Sequence, residues 1–225
     1  MDGGSVEMIE FEYDSRCLVK RGEVLSGDSV MIRTGPNGLV AALSDGMGSG
    51  ESAGIRSGML TAMSVQLWER SAGCEKAFLS AMEQIPFDPV RSMDCASLSL
   101  LTVSAEGELR LCERGNPGAL FFRRNERKEL PCTKRFAGER EYLCAVRTVR
   151  PGDTIILLSD GLERAGVGGK MKLGMGRAGI LAFLKSAAVN RLSAAQISAM
   201  LENLAVSLFE GKLPDDVSFA CIKVR

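Results

Sequence analysis

Residues 38–50, GLVAALSDGMGSG, join a strongly apolar segment to an Asp-Gly pair that begins at Asp45. Residues 154–161, TIILLSDG, repeat this local design and end in a second Asp-Gly pair, at Asp160. Apolar runs of this length between turn residues are typical of buried strands. Since both runs are apolar on both faces, we expect them to lie centrally in a sheet that is covered on both sides.

A third acidic pair, Asp215-Asp216, comes directly before the last apolar run, residues 217–224. Short acidic side chains at the ends of strands can converge on one place even when they are far apart in sequence. Oxygen ligands of this kind suit hard cations such as Mg²⁺ or Mn²⁺. The three acidic positions therefore predict metal-assisted chemistry, and a phosphate ester is the substrate that fits it best.

Composition narrows the class of protein. The 28 basic and 28 acidic residues give zero formal net charge, so no bulk attraction to nucleic acid or to an anionic membrane is expected. No apolar run approaches the roughly 20 residues that span a bilayer, and the first ten residues, MDGGSVEMIE, contain no apolar signal segment. We expect one domain over residues 1–225, located in the cytoplasm.

Histidine is absent from the chain, which excludes Ser-His-Asp and Cys-His catalysis and any imidazole zinc site. Proton transfer near neutral pH would then depend on carboxylates, Lys, Tyr, Cys or metal-activated water. None of the seven cysteines forms a C-x-x-C pair, and several lie within apolar runs. We interpret them as buried, reduced thiols.

The remaining segments predict antiparallel sheets packed against helices. The predicted strands are 29–34, 38–44, 95–103, 108–114, 119–124, a short strand near 128–131, 141–149, 154–159 and 217–224. The predicted helices are 51–70, 74–85, 177–188 and 193–210. Residues 163–176 are expected to form a glycine-rich loop, which is either a solvated loop or a flap beside the site. In a flap, Arg164, Lys170, Lys172 and Arg177 would contact the substrate protein or its phosphate.

The glycine-rich turn has an alternative interpretation. Residues 48–53, from Gly48 to Ala53, fit the dinucleotide fingerprint G-x-G-x-x-A between a strand and a helix. The acidic residue that should end a second parallel strand about 20 residues further on is replaced by Trp68-Glu69-Arg70 at the end of a predicted helix. A nucleotide-binding protein is therefore the weaker alternative.

Four motifs together resemble the metal-dependent protein phosphatase (PPM) family, and most closely the bacterial branch typified by the phosphatase domain of stage II sporulation protein E. The resemblance spans about residues 22–224, and Met93–Ser99 and Gly115–Gly118 add to it. The motifs are Ser26-Gly27-Asp28-Ser29, Ala42-Leu43-Ser44-Asp45-Gly46-Met47-Gly48-Ser49-Gly50, Leu158-Ser159-Asp160-Gly161 and Asp215-Asp216-Val217.

The resemblance implies an α+β fold, an antiparallel β-sandwich with helices on both outer faces, with two Mn²⁺ or Mg²⁺ ions at one end. Asp45 would bridge the ions, Gly46 would offer its carbonyl, and Asp160 and Asp215 would be the other ligands. The family's last motif differs from Asp-Asp-Val, so Asp216 stays open as the alternative to Asp215. Asp28 would orient the attacking water.

The resemblance also implies a biological role. The helical pair at about 51–85 would be regulatory, and the substrate would be a phosphoserine on an anti-sigma-factor antagonist in sporulation signalling. Water activated by the metals would attack phosphorus directly, and protonation of the leaving group would fall to water or an unidentified residue. The alternative is a catalytically inactive interaction module with the same fold. A homodimer, and an origin as the soluble domain of a membrane-anchored parent, stay open.

Overall fold

The computed structural model describes residues 9–85, 96–167 and 171–225. Two antiparallel β-sheets pack face to face, and helices cover the outer face of each sheet. The predicted α+β sandwich is therefore confirmed. Of the residues that the sequence analysis singled out, Met93, Asp94, Cys95 and Lys170 lie outside the described residues.

The first sheet has five strands in the order β1-β11-β10-β6-β7. Its strands are β1 (Phe11–Leu18), β6 (Leu120–Arg123), β7 (Glu126–Lys128), β10 (Thr154–Leu158) and β11 (Val217–Val224). The second sheet has six strands in the order β2-β3-β4-β5-β9-β8. Its strands are β2 (Asp28–Gly35), β3 (Gly38–Asp45), β4 (Leu98–Ser104), β5 (Glu108–Arg114), β8 (Thr133–Ala137) and β9 (Arg140–Thr148).

Within residues 9–85, 96–167 and 171–225, five α-helices pack against the sheets. They are α1 (Gly50–Arg70), α2 (Glu75–Glu83), α3 (Asp160–Glu163), α4 (Gly176–Ser186) and α5 (Ala194–Leu208). Helices α1 and α2 pack on the second sheet, whereas α4 and α5 pack on the first. Ser193 caps α5 in a capping box with Gln196, as its predicted N-cap role requires.

The two apolar strands, β3 and β10, lie inside their sheets, and each contributes side chains to two hydrophobic cores. In β3, Leu39, Ala41 and Leu43 pack between the sheets, while Val40 and Ala42 face α1 and α2. In β10, the same alternation sends successive side chains into the central core and towards α4 and α5. Side chains alternate with a period of two along a strand, so a strand that is covered on both faces is mostly apolar along its whole length.

Two edge strands were not predicted. Strand β1, FEYDSRCL, and strand β8, TKRFA, mix charged and apolar residues and leave most of their side chains partly or fully exposed. Edge strands bury little apolar surface, so their sequences carry a weak periodic signal. The strand expected near 128–131 is β7, at Glu126–Lys128. The short helix α3 was not predicted, and it overlaps the expected loop at 163–176 only at Glu163.

The cysteine prediction was only partly correct. Cys112, Cys144 and Cys221 are buried, but Cys17, Cys74 and Cys132 are exposed. All six of these described cysteines are free thiols. In the described part of the chain, none of the helices combines the length and the apolar character needed to cross a bilayer.

Candidate metal centre

The β2–β3 hairpin brings the first two carboxylates together. Its turn lies at the Gly35–Gly38 end, and in the register of the two strands Asp28 stands directly opposite Asp45 at the other end. The Asp45 backbone is fixed on its other side, because its N–H donates to Ser97 Oγ at 2.9 Å and its carbonyl accepts from the Ser97 N–H at 2.8 Å. The hairpin register therefore sets the spacing of Asp28 and Asp45.

The pairing of β10 with β11 brings the other carboxylates to the same end. Leu158 pairs with Phe219, and beyond this pair the Ser159 N–H donates to the Ser218 carbonyl at 2.8 Å. The Ser218 N–H in turn donates to Ser159 Oγ at 3.0 Å. Because β10 and β11 are antiparallel, β10 ends where β11 begins. The residue after Ser159 therefore lies close to the residues before Val217, beyond this end of the sheet. Asp160, at the start of α3, and Asp215 are thus neighbours.

The four carboxylates interact strongly. Burial, and then the negative charges of Asp28, Asp160 and Asp215, raise the pKa of Asp45 to about 8. Burial also raises the pKa of Asp28 to about 6, although the hydroxyls of Ser218 and Ser159 oppose part of this shift. Burial and the charge of Asp160 raise the pKa of Asp215. The aspartates that the sequence predicts to converge therefore do so, and Asp28 lies with them.

This arrangement fits a divalent cation. Oδ2 of Asp28 is buried and has no hydrogen-bond partner among the described residues, so an acceptor is left for a ligand or a water. Among those residues, no three of the aspartates bring an oxygen each within 4.8 Å of one another. The carboxylates are thus spread more widely than one tight coordination shell, which is compatible with two ions about 3.5–4 Å apart.

Arg164 is a basic side chain in direct contact with this cluster. Its Nη1 lies 3.2 Å from Asp215 Oδ2 and 3.5 Å from Asp160 Oδ2, and its side chain is 61% exposed. The sequence analysis placed Arg164 in a basic loop that could reach the site. In the structure it follows α3 directly, one turn after Asp160, which explains its position.

The glycines of the two Asp-Gly pairs are required by close backbone contacts. A Cβ on Gly46 would lie 2.4 Å from the Ala53 carbonyl oxygen, and a Cβ on Gly161 would lie 2.0 Å from the Asp216 carbonyl oxygen. Both distances are far inside van der Waals contact. Packing alone therefore excludes any other residue at these two positions, whether or not the Gly46 carbonyl also binds a cation.

The two acidic residues of the last motif have different environments. Asp216 is 4% exposed, and its carboxylate accepts hydrogen bonds from the N–H groups of Lys20 and Gly27, both at 2.9 Å. Through these two hydrogen bonds, Asp216 stabilises the loop that leads into β2. Asp215 faces Asp160 and Arg164 instead. The geometry thus favours Asp215, the preferred alternative, as the residue that is available to a metal.

A polar network behind Asp45 was not predicted. Ser97 Oγ donates to Asn116 Oδ1 at 2.5 Å, and Asn116 Nδ2 donates to Ser99 Oγ at 3.0 Å. Ser99 Oγ then donates to the buried carboxyl of Glu113 at 3.0 Å, whose pKa burial raises to about 7. Asn116 lies in the Gly-Asn-Pro-Gly turn that contributed to the family resemblance, but no sequence pattern indicates its contact with Ser97.

The family model for stage II sporulation protein E (SpoIIE) matches residues 35–225. The chain belongs to this family. No curated protein sequence matches the chain. A SpoIIE structure from Bacillus subtilis, with the PP2C phosphatase domain and a fragment of the regulatory domain, is 18% identical with a TM-score of 0.79. The match covers 97% of this chain and 64% of that one, so the chain spans about two thirds of that SpoIIE fragment.

Two further structures agree. The SpoIIE phosphatase domain alone, also from Bacillus subtilis, is 17% identical with a TM-score of 0.69, covering 97% of this chain and 93% of that one. The catalytic domain of the serine/threonine protein phosphatase PstP, in complex with two manganese ions, is 20% identical with a TM-score of 0.65, covering 96% and 99%. At these identities the similarity establishes a PP2C-type fold for this SpoIIE family member.

The nucleotide-binding alternative is wrong in its structural premise. The dinucleotide fingerprint requires a parallel β-α-β unit. In this SpoIIE family member, β3 pairs antiparallel with both β2 and β4, and residues 48–53 lead from β3 into α1. The glycine-rich turn is therefore part of an antiparallel sandwich.

The different roles of the two neighbouring aspartates can be tested by stability. Replacing Asp216 with Asn in the metal-free protein should lower the free energy of unfolding by about 1–3 kcal/mol, because two amides lose a charged acceptor. Asp215→Asn, the matched control, should leave the free energy of unfolding unchanged or raise it, because loss of this charge relieves repulsion with Asp160. Urea unfolding followed by circular dichroism measures both. Equal losses in the two variants would contradict the assignment.

The crowding of carboxylates predicts a pH dependence. Asp45 keeps its proton more firmly in the folded chain, where its pKa is about 8, than in the unfolded chain, where it is about 4. The contribution of Asp45 to the free energy of unfolding should therefore fall as the pH rises between these values. Urea unfolding in chelator across this range should show a shallower decline for Asp45→Asn than for the unmodified protein. An identical pH profile in the variant would show that Asp45 is not crowded.

Proposed function

We propose that the protein is a metal-dependent phosphatase that hydrolyses phosphoserine on a protein substrate. The observation that carries the proposal is the convergence of Asp28, Asp45, Asp160 and Asp215 at one end of a PP2C-type fold. Membership of the SpoIIE family supports it. So does the similarity in fold to structures of RsbX with magnesium and of PstP with manganese.

Asp45, Asp160 and Asp215 would hold two Mn²⁺ or Mg²⁺ ions, and Gly46 would contribute its backbone carbonyl. Bound divalent ions supply Lewis acidity, which lowers the pKa of a water and neutralises charge on a phosphoryl group. Asp28 is held beside Asp45 by the hairpin register. With a pKa of about 6, its carboxylate is charged near neutral pH and can orient the attacking water and accept a hydrogen bond from it.

Arg164 would bind the substrate phosphate. In the metal-free arrangement its guanidinium contacts Asp160 and Asp215. Cations bound by those carboxylates would neutralise their negative charge. The carboxylates would then no longer hold the mostly exposed guanidinium, which could turn outwards. Arginine binds phosphate oxygens through two parallel hydrogen bonds, so this side chain would position the phosphoserine beside the carboxylate cluster.

The finer assignments are part of the same proposal. An anti-sigma-factor antagonist in sporulation signalling is the phosphoprotein that the family resemblance indicates, and such a substrate would place the reaction in the cytoplasm. The similarity in fold to the RsbU and RsbW domains of a Mycobacterium tuberculosis protein supports a partner of this kind.

Helices α1 and α2 would form the regulatory pair. Helix α1 packs on β2 and β3 and begins five residues after Asp45. The Ala53 carbonyl oxygen of α1 lies only 2.4 Å from the position that a Cβ on Gly46 would take. A shift of α1 would therefore move the Asp45-Gly46 turn directly.

Loss of a central carboxylate should abolish turnover. Asp45→Asn and Asp160→Asn should each lower Mn²⁺-dependent hydrolysis of p-nitrophenyl phosphate and of a phosphoserine protein by about 100-fold or more, since even residues that only support metal ligands cost 10–100-fold. Glu106→Gln, in an exposed turn, is the control. A folded, Mn²⁺-saturated protein without measurable hydrolysis would favour the inactive interaction module instead.

Removal of the Arg164 side chain should weaken substrate binding without weakening metal binding. Arg164→Ala should lower kcat/KM for the phosphoprotein roughly 10–100-fold, mainly through KM, because a charged hydrogen bond to phosphate contributes about 1.5–3 kcal/mol. Mn²⁺ should bind equally well or more tightly, since a competing cation is gone. Arg70→Ala, at the exposed end of α1, is the control. Weaker Mn²⁺ binding with an unchanged KM would contradict the role given to Arg164.

A further inference from the structure

A second group of metal-ligand side chains lies between α2 and the second sheet. Glu75 is the first residue of α2, Cys112 lies in β5 and Cys144 lies in β9. The β5–β9 register sets Cys112 directly opposite Cys144, and their Sγ atoms are 3.0 Å apart. One ligand atom from each of the three residues lies within 4.8 Å of the other two. Three separate elements therefore converge on one point.

We propose that Glu75, Cys112 and Cys144 bind a soft divalent cation of the Zn²⁺ class, at a site distinct from the acidic cluster. Two thiolates and one carboxylate are ligands that Zn²⁺ accepts, with a fourth position left for water. Glu75 opens the site towards solvent, since its side chain is 15% exposed, whereas both cysteines are buried.

The distance between the two sulfur atoms lies between that of a metal site and that of a disulfide, and the third side chain, Glu75, favours the metal. Tetrahedral Zn²⁺ with Zn–S bonds of about 2.3 Å separates two sulfur atoms by roughly 3.8 Å, so the thiols would move apart by less than 1 Å. A disulfide would require them to approach to about 2.05 Å. A disulfide also gives no role to Glu75, whose carboxylate is the third member of the group. A metal uses all three side chains.

The charges also balance around a divalent cation. Arg135 Nε lies 3.1 Å from Glu75 Oε1, which leaves the second carboxylate oxygen available. Two thiolates, one carboxylate, one guanidinium and one divalent cation sum to zero. Without a cation, the contact with Cys144 and burial raise the pKa of Cys112. Binding would then release thiol protons to solvent, as thiolate ligation requires.

Occupancy would fasten α2 to the sheet beneath it. Cys112 and Cys144 belong to the core that packs against α1 and α2, and Glu75 begins α2. A cation held between them would cross-link the helix to β5 and β9, and a ligand that binds only the folded state raises its stability. This inference does not depend on phosphatase activity.

Cobalt provides a direct test, because thiolate ligation of Co²⁺ gives a near-ultraviolet charge-transfer band that oxygen ligation lacks. The full chain is stripped with chelator, kept reduced and titrated with Co²⁺ in an Asp45→Asn, Asp160→Asn background, which silences the acidic cluster. One equivalent should produce the band, Zn²⁺ should abolish it by displacement, and Zn²⁺ should raise the unfolding temperature.

Matched variants locate the ligands. In the same background, Cys112→Ser and Cys144→Ser should each lose the charge-transfer band, whereas Cys17→Ser, in the other sheet, should keep it. Glu75→Gln should keep both thiols and the fold and weaken Co²⁺ binding by about tenfold or more. Glu69→Gln, which also removes a carboxylate paired with an arginine, is its control. If a cysteine variant fails to fold, the Co²⁺ affinity of Glu75→Gln still tests the proposal.

Three results would overturn the proposal. One is the absence of a charge-transfer band in the folded, reduced protein. The second is a band or an affinity that the Cys112, Cys144 and Glu75 variants leave unchanged. The third is a Cys112–Cys144 disulfide, seen by mass spectrometry as the loss of two hydrogens, in a protein whose reduced form does not bind Co²⁺. Since the acidic cluster is silenced throughout, none of these results depends on the phosphatase proposal.

Discussion

Four carboxylates lie together at one end of the sandwich despite their mutual repulsion. Asp45 bears most of it, because it is partly buried and faces Asp28, Asp160 and Asp215. Free side chains would relieve such repulsion by moving apart. Here the residues are held by two antiparallel registers, β2 with β3 and β10 with β11, so the backbone does not allow them to separate. Divalent cations relieve this repulsion directly, since they supply the opposite charge.

The backbone around these carboxylates is correspondingly tight. Gly46 and Gly161 each lie against a carbonyl oxygen where no side chain fits. Asp216 holds the loop before β2 in place by accepting hydrogen bonds from two backbone amides. These contacts position Asp28, the first residue of β2. The acidic cluster is thus built by hydrogen bonds and close contacts that would persist without metal, and its shape is prepared before any cation binds.

The sequence predicted the fold and the convergence of the acidic residues for a shared physical reason. Residues 39–43 and 155–158 are apolar at every position, which places them in the middle of covered sheets, and their ends carry the aspartates. The exposed edge strands β1 and β8 gave no such signal. Asp215 and Asp216 are adjacent and chemically identical. Only the folded chain shows that Asp216 accepts hydrogen bonds from backbone amides, whereas the carboxylate of Asp215 is partly exposed. The pairing of Cys112 with Cys144 likewise follows from the β5–β9 register, which no local pattern specifies.

Crystals grown with Mn²⁺ and measured at the manganese absorption edge would show where the ions bind. Two anomalous peaks should appear among the carboxylates of Asp45, Asp160 and Asp215, with Asp216 still bound to the amides of Lys20 and Gly27. Manganese peaks elsewhere, or none among these aspartates at saturating Mn²⁺, would contradict this placement of the ions.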